Sequence, residues 1–309
     1  MTVPQVSVII PTHNRVGFLS TAIGSVLQQS FQNFEMLVVD DASTDETANL
    51  RERFPDTRIR WLRHDKPRGG AAARNTGIVH SRGEYIAFLD DDDEWFPEKL
   101  ARQMEVMLNS APEVAAVYTG YLVVDRASGK ISGRMTPKLS GDLSQALLAA
   151  NPIGGTSCML LKRSCLEQVG LFDESLPSFQ DRDLWIRISR KFHFDYVPDA
   201  LLNYYVHGKK VWTNLEALER GLETMLRKYG SSAAFRKSCS GRYLFFGIKF
   251  CEADQIGKGK AALLKAIRLD PYRIKPYIYF LLTLLGPKIF MKARESKGEI
   301  FVGLGVTNS

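Results

Sequence analysis

The chain has 309 residues, 45% of them hydrophobic and 24% charged, enough for one large core with a smaller appendage and too apolar for wholesale disorder. Lys and Arg number 41 against 34 Asp and Glu, giving a formal charge of +7 and a pI near 9.2. That excess suits an anionic ligand, a nucleic acid or an anionic membrane surface without choosing among them.

In chain order, short β-rich runs alternate with helical spacing over the first third, the pattern of βαβ units around a parallel sheet. Strands are predicted at 6–10, 35–39, 59–63 and 85–89. Helices are predicted at 18–27, at 45–54 behind a Ser43 cap, at 71–80 behind a glycine pair, and from Pro97 toward Leu108. Beyond 111 the pattern is mixed, with strands at 114–118, 121–124, 158–161, 194–197 and 202–205 and a helix at 181–191. From 214 on, helices are predicted at 215–229, 235–253, 260–269 and 277–285, which puts a domain boundary near Trp212: a domain over 1–211 and a helical extension over 212–309. Cys158, Cys165, Cys239 and Cys251 lack CxxC spacing, so reduced structural thiols are expected. The N-terminus carries no secretory signal and the longest apolar stretch, 277–285, is far below the about 20 residues that span a bilayer, so a cytosolic protein is expected.

Ligands of parallel sheets bind beyond the carboxyl ends of the strands, where the loops converge. Here those loops concentrate charge. The run "FLDDDDEW" sets Asp90 to Asp93 at a strand end, where four adjacent carboxylates repel one another unless a cation or a basic group offsets them. Hard divalent cations with oxygen ligands do this well, so Mg²⁺ or Mn²⁺ is expected there. In "VVDDAS", Asp40 and Asp41 leave two roles open: hydrogen bonding to a nucleobase or ribose, and capping of the next helix. In "RGGAAARNTG" the glycine pair permits close backbone approach at a helix start, and Arg74 can pair with phosphate. "PSFQDRDLWIRI" puts Asp181 and Asp183 in a first helical turn, where a carboxylate either stabilises the helix or takes a proton from an acceptor hydroxyl. "YYVHGKK" adds His207.

Taken in order, "VSVIIPTHNR", "LVVDDAS", "GGAAARNTG", "YIAFLDDDDEW", "VGLFDESL", "QDRDLWIR" and "YYVHG" resemble the family 2 glycosyltransferases of the GT-A fold, over about residues 5–210. The resemblance implies an α/β architecture with a central mixed sheet flanked by helices and an inverting transfer from a nucleotide-diphosphate sugar, a UDP-sugar foremost, with Mg²⁺ or Mn²⁺ as cofactor. It implies that Pro11, His13 and Arg15 line the nucleoside pocket, Asp40 contacts the base with Asp41 beside it, and Arg74 faces the diphosphate. Asp91 and Asp92 match the family's metal-binding pair, and the DxD reading makes it Asp90 and Asp92. The metal set expected on this basis is Asp90, Asp92 and His207, with Asp91 on the donor and Asp181 as the base. Many relatives have Glu-Asp where this chain has Gln180-Asp181, a change that removes a neighbour of the base and leaves the base itself.

The acceptor is expected to be a saccharide or a lipid-linked saccharide. "PYIYFLLTLLGPKIFMKAR" combines aromatics, leucines and flanking basic residues, a composition suited both to a core helix and to peripheral contact with the inner face of a membrane. A nucleotidyltransferase would carry a glycine-rich loop where this chain has "PTHNR", and a nucleic-acid-binding module would lack clustered carboxylates. An inactive glycosyltransferase-like binding protein is opposed by the intact Asp92 and Asp181.

Overall fold

The computed structural model describes residues 3–206, 214–286, 290 and 291. They form two compact units, one made of the described residues of 1–144, 152–176 and 180–210, the other of those of 145–151, 177–179 and 211–309. The expected boundary near Trp212 lies outside the described residues, and two segments that precede it belong to the second unit.

The first unit is built on one mixed sheet. Its strands are β1 (Val6–Thr12), β2 (Phe34–Asp40), β3 (Ile59–Arg63), β4 (Tyr85–Phe88), β5 (Glu94–Trp95), β6 (Val114–Asp125), β7 (Ile131–Met135), β8 (Met159–Lys162) and β9 (His193–Val206). They lie in the order β3-β2-β1-β4-β8-β6-β9-β5, with β7 paired to β6. The first four are parallel, β8 runs antiparallel to β4 and β6, and β6 and β9 are parallel again. β1 and β2 are buried along their whole length, and their buried polar pair is satisfied, Ser7 Oγ donating to Glu35 at 2.8 Å. Because the chain leaves β1 to one side for β2 and returns on the other as β4, a crevice opens between the ends of β1 and β4.

The helices of this unit are α1 (Val16–Leu27), the single turn α2 (Leu50–Arg53), α3 (Gly70–His80), α4 (Lys99–Asn109), α5 (Ser144–Ala149, shared with the second unit), α6 (Arg163–Val169) and α7 (Gln180–Ser189). Where a helix is predicted over 45–54, the chain forms a 3₁₀ turn, Glu46–Asn49, and then α2, because the Asp45 side chain accepts from the Thr47 N–H and tightens the start. Helix α4 starts two residues after Pro97, since 94–95 pair with β9. The strand pairs predicted at 114–124 and 194–205 are each one long strand, β6 and β9, joined through register shifts around Thr119 and Gly120. Gly120 is required there: a Cβ would fall against the Met135 carbonyl oxygen.

The second unit holds α8 (Leu215–Tyr229), α9 (Ala233–Glu252), α10 (Ile256–Leu269) and α11 (Ile274–Leu284). Asn214 and Ser232 cap α8 and α9 by accepting from the Ala217 and Phe235 N–H groups. Gly247 and Gly259 let α9 and α10 cross closely, since a Cβ on Gly247 would lie 2.6 Å from Leu263. Among the described residues no helix is long and apolar enough to cross a membrane.

Candidate active site

The ends of β1, β2 and β3 align, so that Thr12, Asp40 and Arg63 stand side by side across the sheet. Next to them, beyond β4, the Asp93 N–H donates to the Asp90 carbonyl at 3.0 Å and closes a turn that carries the acidic run. Each of the four carboxylates meets a donor from elsewhere in the chain, Asp91 and Asp92 sharing one. Asp90 accepts from Arg74 and, at 2.8 Å, from Thr156 Oγ1. Asp91 accepts from Thr12 Oγ1 at 2.8 Å and Arg15 Nη1 at 2.9 Å, and the same Nη1 reaches Asp92 at 3.0 Å. Asp93 accepts from Ser157 Oγ at 2.7 Å. Two arginines and three hydroxyls thus hold together a cluster that would otherwise fly apart. Burial is the largest influence on Asp91 and pushes its carboxyl up to about 6, Arg15 opposing and Asp92 adding.

Asp181 lies in the first turn of α7, with Leu184, Trp185, Ile186 and Ile188 on the buried side. Burial raises its carboxyl above the usual range; the Arg182 N–H and Arg74 oppose this and Asp90 adds to it. Asp181, Asp90 and Arg74 therefore share one electrostatic neighbourhood. Tyr204 of β9 belongs to it as well, its phenol raised by burial and then by Asp93, Asp92, Asp90 and Asp181. Gln180 donates from Nε2 to the Leu176 carbonyl at 2.7 Å, a bond that a glutamate could not donate.

Three of the motifs are stitched together by hydrogen bonds. Asn75 exchanges two bonds with the Phe172 backbone, at 2.9 and 3.0 Å, and donates to Glu174. Arg187 bridges Asp183, at 2.9 Å, to the carbonyls of Val169, Gly170 and Leu171. The loop after α6 is thereby fastened to α3 and α7, which presents Arg74 and Asp181 from fixed backbone.

Asp40 and Asp41 are both heavily occupied. Asp40 accepts from the Ser43 N–H at 2.8 Å and from Arg63. Asp41 accepts from the His64 ring at 2.7 Å and from the N–H groups of Arg68 and Gly69 at 2.8 and 2.7 Å. Burial raises the Asp41 carboxyl, and these donors more than offset it, leaving it below the usual range. Asp41 thus shapes the loop before α3, whose Gly69 sits at φ +90° where other residues are strained. Pro11 is buried in β1, and His13 stands exposed with Nδ1 2.7 Å from the Asp41 carbonyl oxygen. Asn14, in left-handed backbone, accepts from the Thr44 and Asp45 N–H groups and donates its own N–H to Ser43 Oγ, tying the first loop to the second. His207 lies outside the described residues.

Thr12, Asn14, Thr156, Ser157 and Tyr204 join the site from outside the set of expected residues. One signal was there: "GGTS" at 154–157 repeats the glycine pair of 69–70 and sets two hydroxyls behind it. Tyr204 gave none, because strand periodicity cannot tell which face meets the acidic turn.

Among the described residues no three His, Cys, Asp or Glu side chains form a group that could hold a metal by themselves. The donor set at the acidic turn is all carboxylate, which fits a hard divalent ion that completes its shell with phosphate oxygens. The buried Arg74 Nε has no hydrogen-bond partner among the described residues, a donor placed beside that turn.

A mixed α/β sheet with an acidic turn at the switch point, a basic helix start and a carboxylate across from them defines a GT-A transferase architecture. The Glycosyl transferase family 2 profile matches residues 7–170, and the chain belongs to that family. An uncharacterized glycosyltransferase of Rickettsia felis is 33% identical over 200 residues, 62% of this chain and 33% of the relative. The Escherichia coli UDP-Glc:alpha-D-GlcNAc-diphosphoundecaprenol beta-1,3-glucosyltransferase WfgD is 39% identical over 123 residues, 40% of this chain and 48% of the relative. The chain therefore spans half or less of the length of these two relatives. Among solved structures, S. aureus TarS 1-349 in complex with UDP-GlcNAc superposes with a TM-score of 0.62 at 16% identity, covering 95% of this chain and 91% of TarS. Mannosyltransferase PcManGT from Pyrobaculum calidifontis, in complex with GDP-Man and Mn²⁺, gives 0.58 at 20% identity, covering 97% and 89%. At these identities the two structures speak for the fold.

Proposed function

We propose that the chain transfers a sugar, with inversion, from a nucleotide-diphosphate sugar to a hydroxyl of a saccharide or lipid-linked saccharide in surface polysaccharide or glycolipid synthesis. The observation that carries the reading is the electrostatic convergence of Asp181 with Asp90 and Arg74, three groups from three separate elements. Asp181 takes the proton of the acceptor hydroxyl as that oxygen attacks the anomeric carbon, a role that a carboxyl raised by burial suits. Arg74, whose buried Nε has no partner among the described residues, would pair with the diphosphate. Asp90 and Asp92, with His207 as a further ligand, would hold Mg²⁺ or Mn²⁺. When bound, the ion neutralises charge that develops on the leaving diphosphate. Asp91 stays on Thr12 and Arg15 at the donor. Pro11, His13 and Asp40 line the nucleoside side, with Asp41 bracing the loop beneath. A UDP-sugar is the favoured donor, in keeping with the donor in the name of the E. coli relative, and the lipid-linked acceptor rests on that same name.

The test is donor hydrolysis across UDP, GDP, dTDP and CDP sugars, with Mn²⁺ or EDTA, for the wild type, Asp92→Ala and Asp181→Asn. Metal-dependent release of one nucleotide diphosphate, lost in Asp92→Ala, is expected. Asp181→Asn should still bind the donor but transfer at least about 10²-fold more slowly. Turnover indifferent to EDTA and to both substitutions would sink the assignment.

A further inference from the structure

Helix α11 is apolar on its outer side as well as its inner one. Pro276 and Thr283 are buried, and Tyr279, Phe280 and Leu282 are half-buried against the rest of the unit. Its outward positions are apolar: Ile274 is 71% exposed, Ile278 43%, Leu281 59% and Leu285, just past the last turn, 61%, with Tyr277 and Leu284 on the flank of the same stripe. Spacings of four, three and four residues place these side chains on one face. A helix that merely packs on its neighbours turns a polar face outward, and a contiguous exposed apolar face marks an interaction surface.

The charges nearby indicate the partner. From the start of α10 to the end of α11 the chain carries Lys258, Lys260, Lys265, Arg268, Arg273 and Lys275 against one acid, the buried Asp270. Lys258 and Lys265 are committed to glutamates of α8, while Arg268 and Lys275 are exposed. Tyr272, 95% exposed, and Tyr277 add rings with an apolar body and a polar tip, which settle at the boundary between lipid and water. An 11-residue helix is about 16 Å long, far short of a span, so it can only lie flat.

We propose that the outer face of α11 docks on an anionic lipid surface, with Ile274, Ile278, Leu281 and Leu285 entering the boundary region and Arg268 and Lys275 meeting the headgroups. The proposal is independent of the transfer chemistry. Flotation of the full chain with vesicles of phosphatidylcholine alone or mixed with phosphatidylglycerol tests it, alongside Ile278→Glu/Leu281→Glu and Lys275→Glu. Binding to the mixed vesicles is expected to exceed binding to the neutral ones by about tenfold, to fall about tenfold or more in the double variant, and to weaken with salt and in Lys275→Glu. Unchanged circular dichroism melting and retained soluble donor hydrolysis would show that the double variant is folded, and separate this result from any failure of the transfer reading. Equal flotation with both lipids, or flotation untouched by the double substitution, overturns the proposal. So does an absence of flotation together with a concentration-dependent dimer that the double variant abolishes, because a second copy would then cover the face.

Discussion

Asp91 shows how single residues at this site trade stability for charge. Its carboxyl, buried and pushed up to about 6, binds a proton more readily in the folded chain than in the unfolded one, whose value is 3.8. The folded state is therefore the better proton binder between about pH 4 and 6, and stability falls as pH rises through that window, by an upper estimate of about 3 kcal/mol. Asp91→Asn should flatten that fall in melting temperatures recorded from pH 4 to 7. An unaltered slope would mean that Asp91 does not titrate there. Asp41 is a different case, because its two oxygens satisfy two backbone N–H groups and His64, so that the residue braces the loop in which a sequence pattern sees only a second acid.

Helix α4 reaches the acidic turn through a buried lysine. Lys99 is fully buried; its Nζ donates to Gln103 at 2.7 Å and lies 3.9 Å from the centre of the Trp95 ring, whose Nε1 donates to Ser157, the residue that also holds Asp93. Burial lowers the amine to about 7. The unfolded chain thus binds more protons between about pH 7 and 10.5, and stability rises with pH across that range. Lys99→Met removes the buried charge at similar length and is expected to stabilise the fold near pH 6 by about 1–4 kcal/mol and to remove the rise. A lower melting temperature at pH 6 would show instead that the ring and Gln103 outweigh the cost of burial. At α3, a Cβ on Gly77 would press into Ile9 of β1. Gly77→Ala should therefore cost about 1–3 kcal/mol in chemical denaturation despite its better helix propensity; a stabilised variant would show that α3 can shift on the sheet.

At the scale of the molecule, two compact units predict more than one thermal transition. A donor that binds the sheet-bearing unit should move that unit's transition alone. At about 100 times its Kd the expected gain is about 2.7 kcal/mol, or roughly 5–10 °C for a unit of this size. Scanning calorimetry with Mn²⁺ and the donor found by the hydrolysis panel checks this. Equal movement of both transitions would mean that the units melt as one.

The parallel half of the sheet was legible because its strands are short β-rich runs and most of its helices have a clear period, features that the local chain imposes without help from distant residues. The acidic turn, Arg74 and the start of α7 were legible for the same local reason: charge at the end of an apolar run is anomalous wherever the run folds. What only the tertiary structure decided was partnership. Which donor meets Asp90, Asp91, Asp92 or Asp93 depends on Thr12, Arg15, Arg74, Thr156 and Ser157, residues up to 79 positions away whose approach is set by strand order. The same holds for the apolar side of α11. Periodicity marks a helical stripe but not whether it faces a core or the solvent, because that choice belongs to the neighbours it packs against.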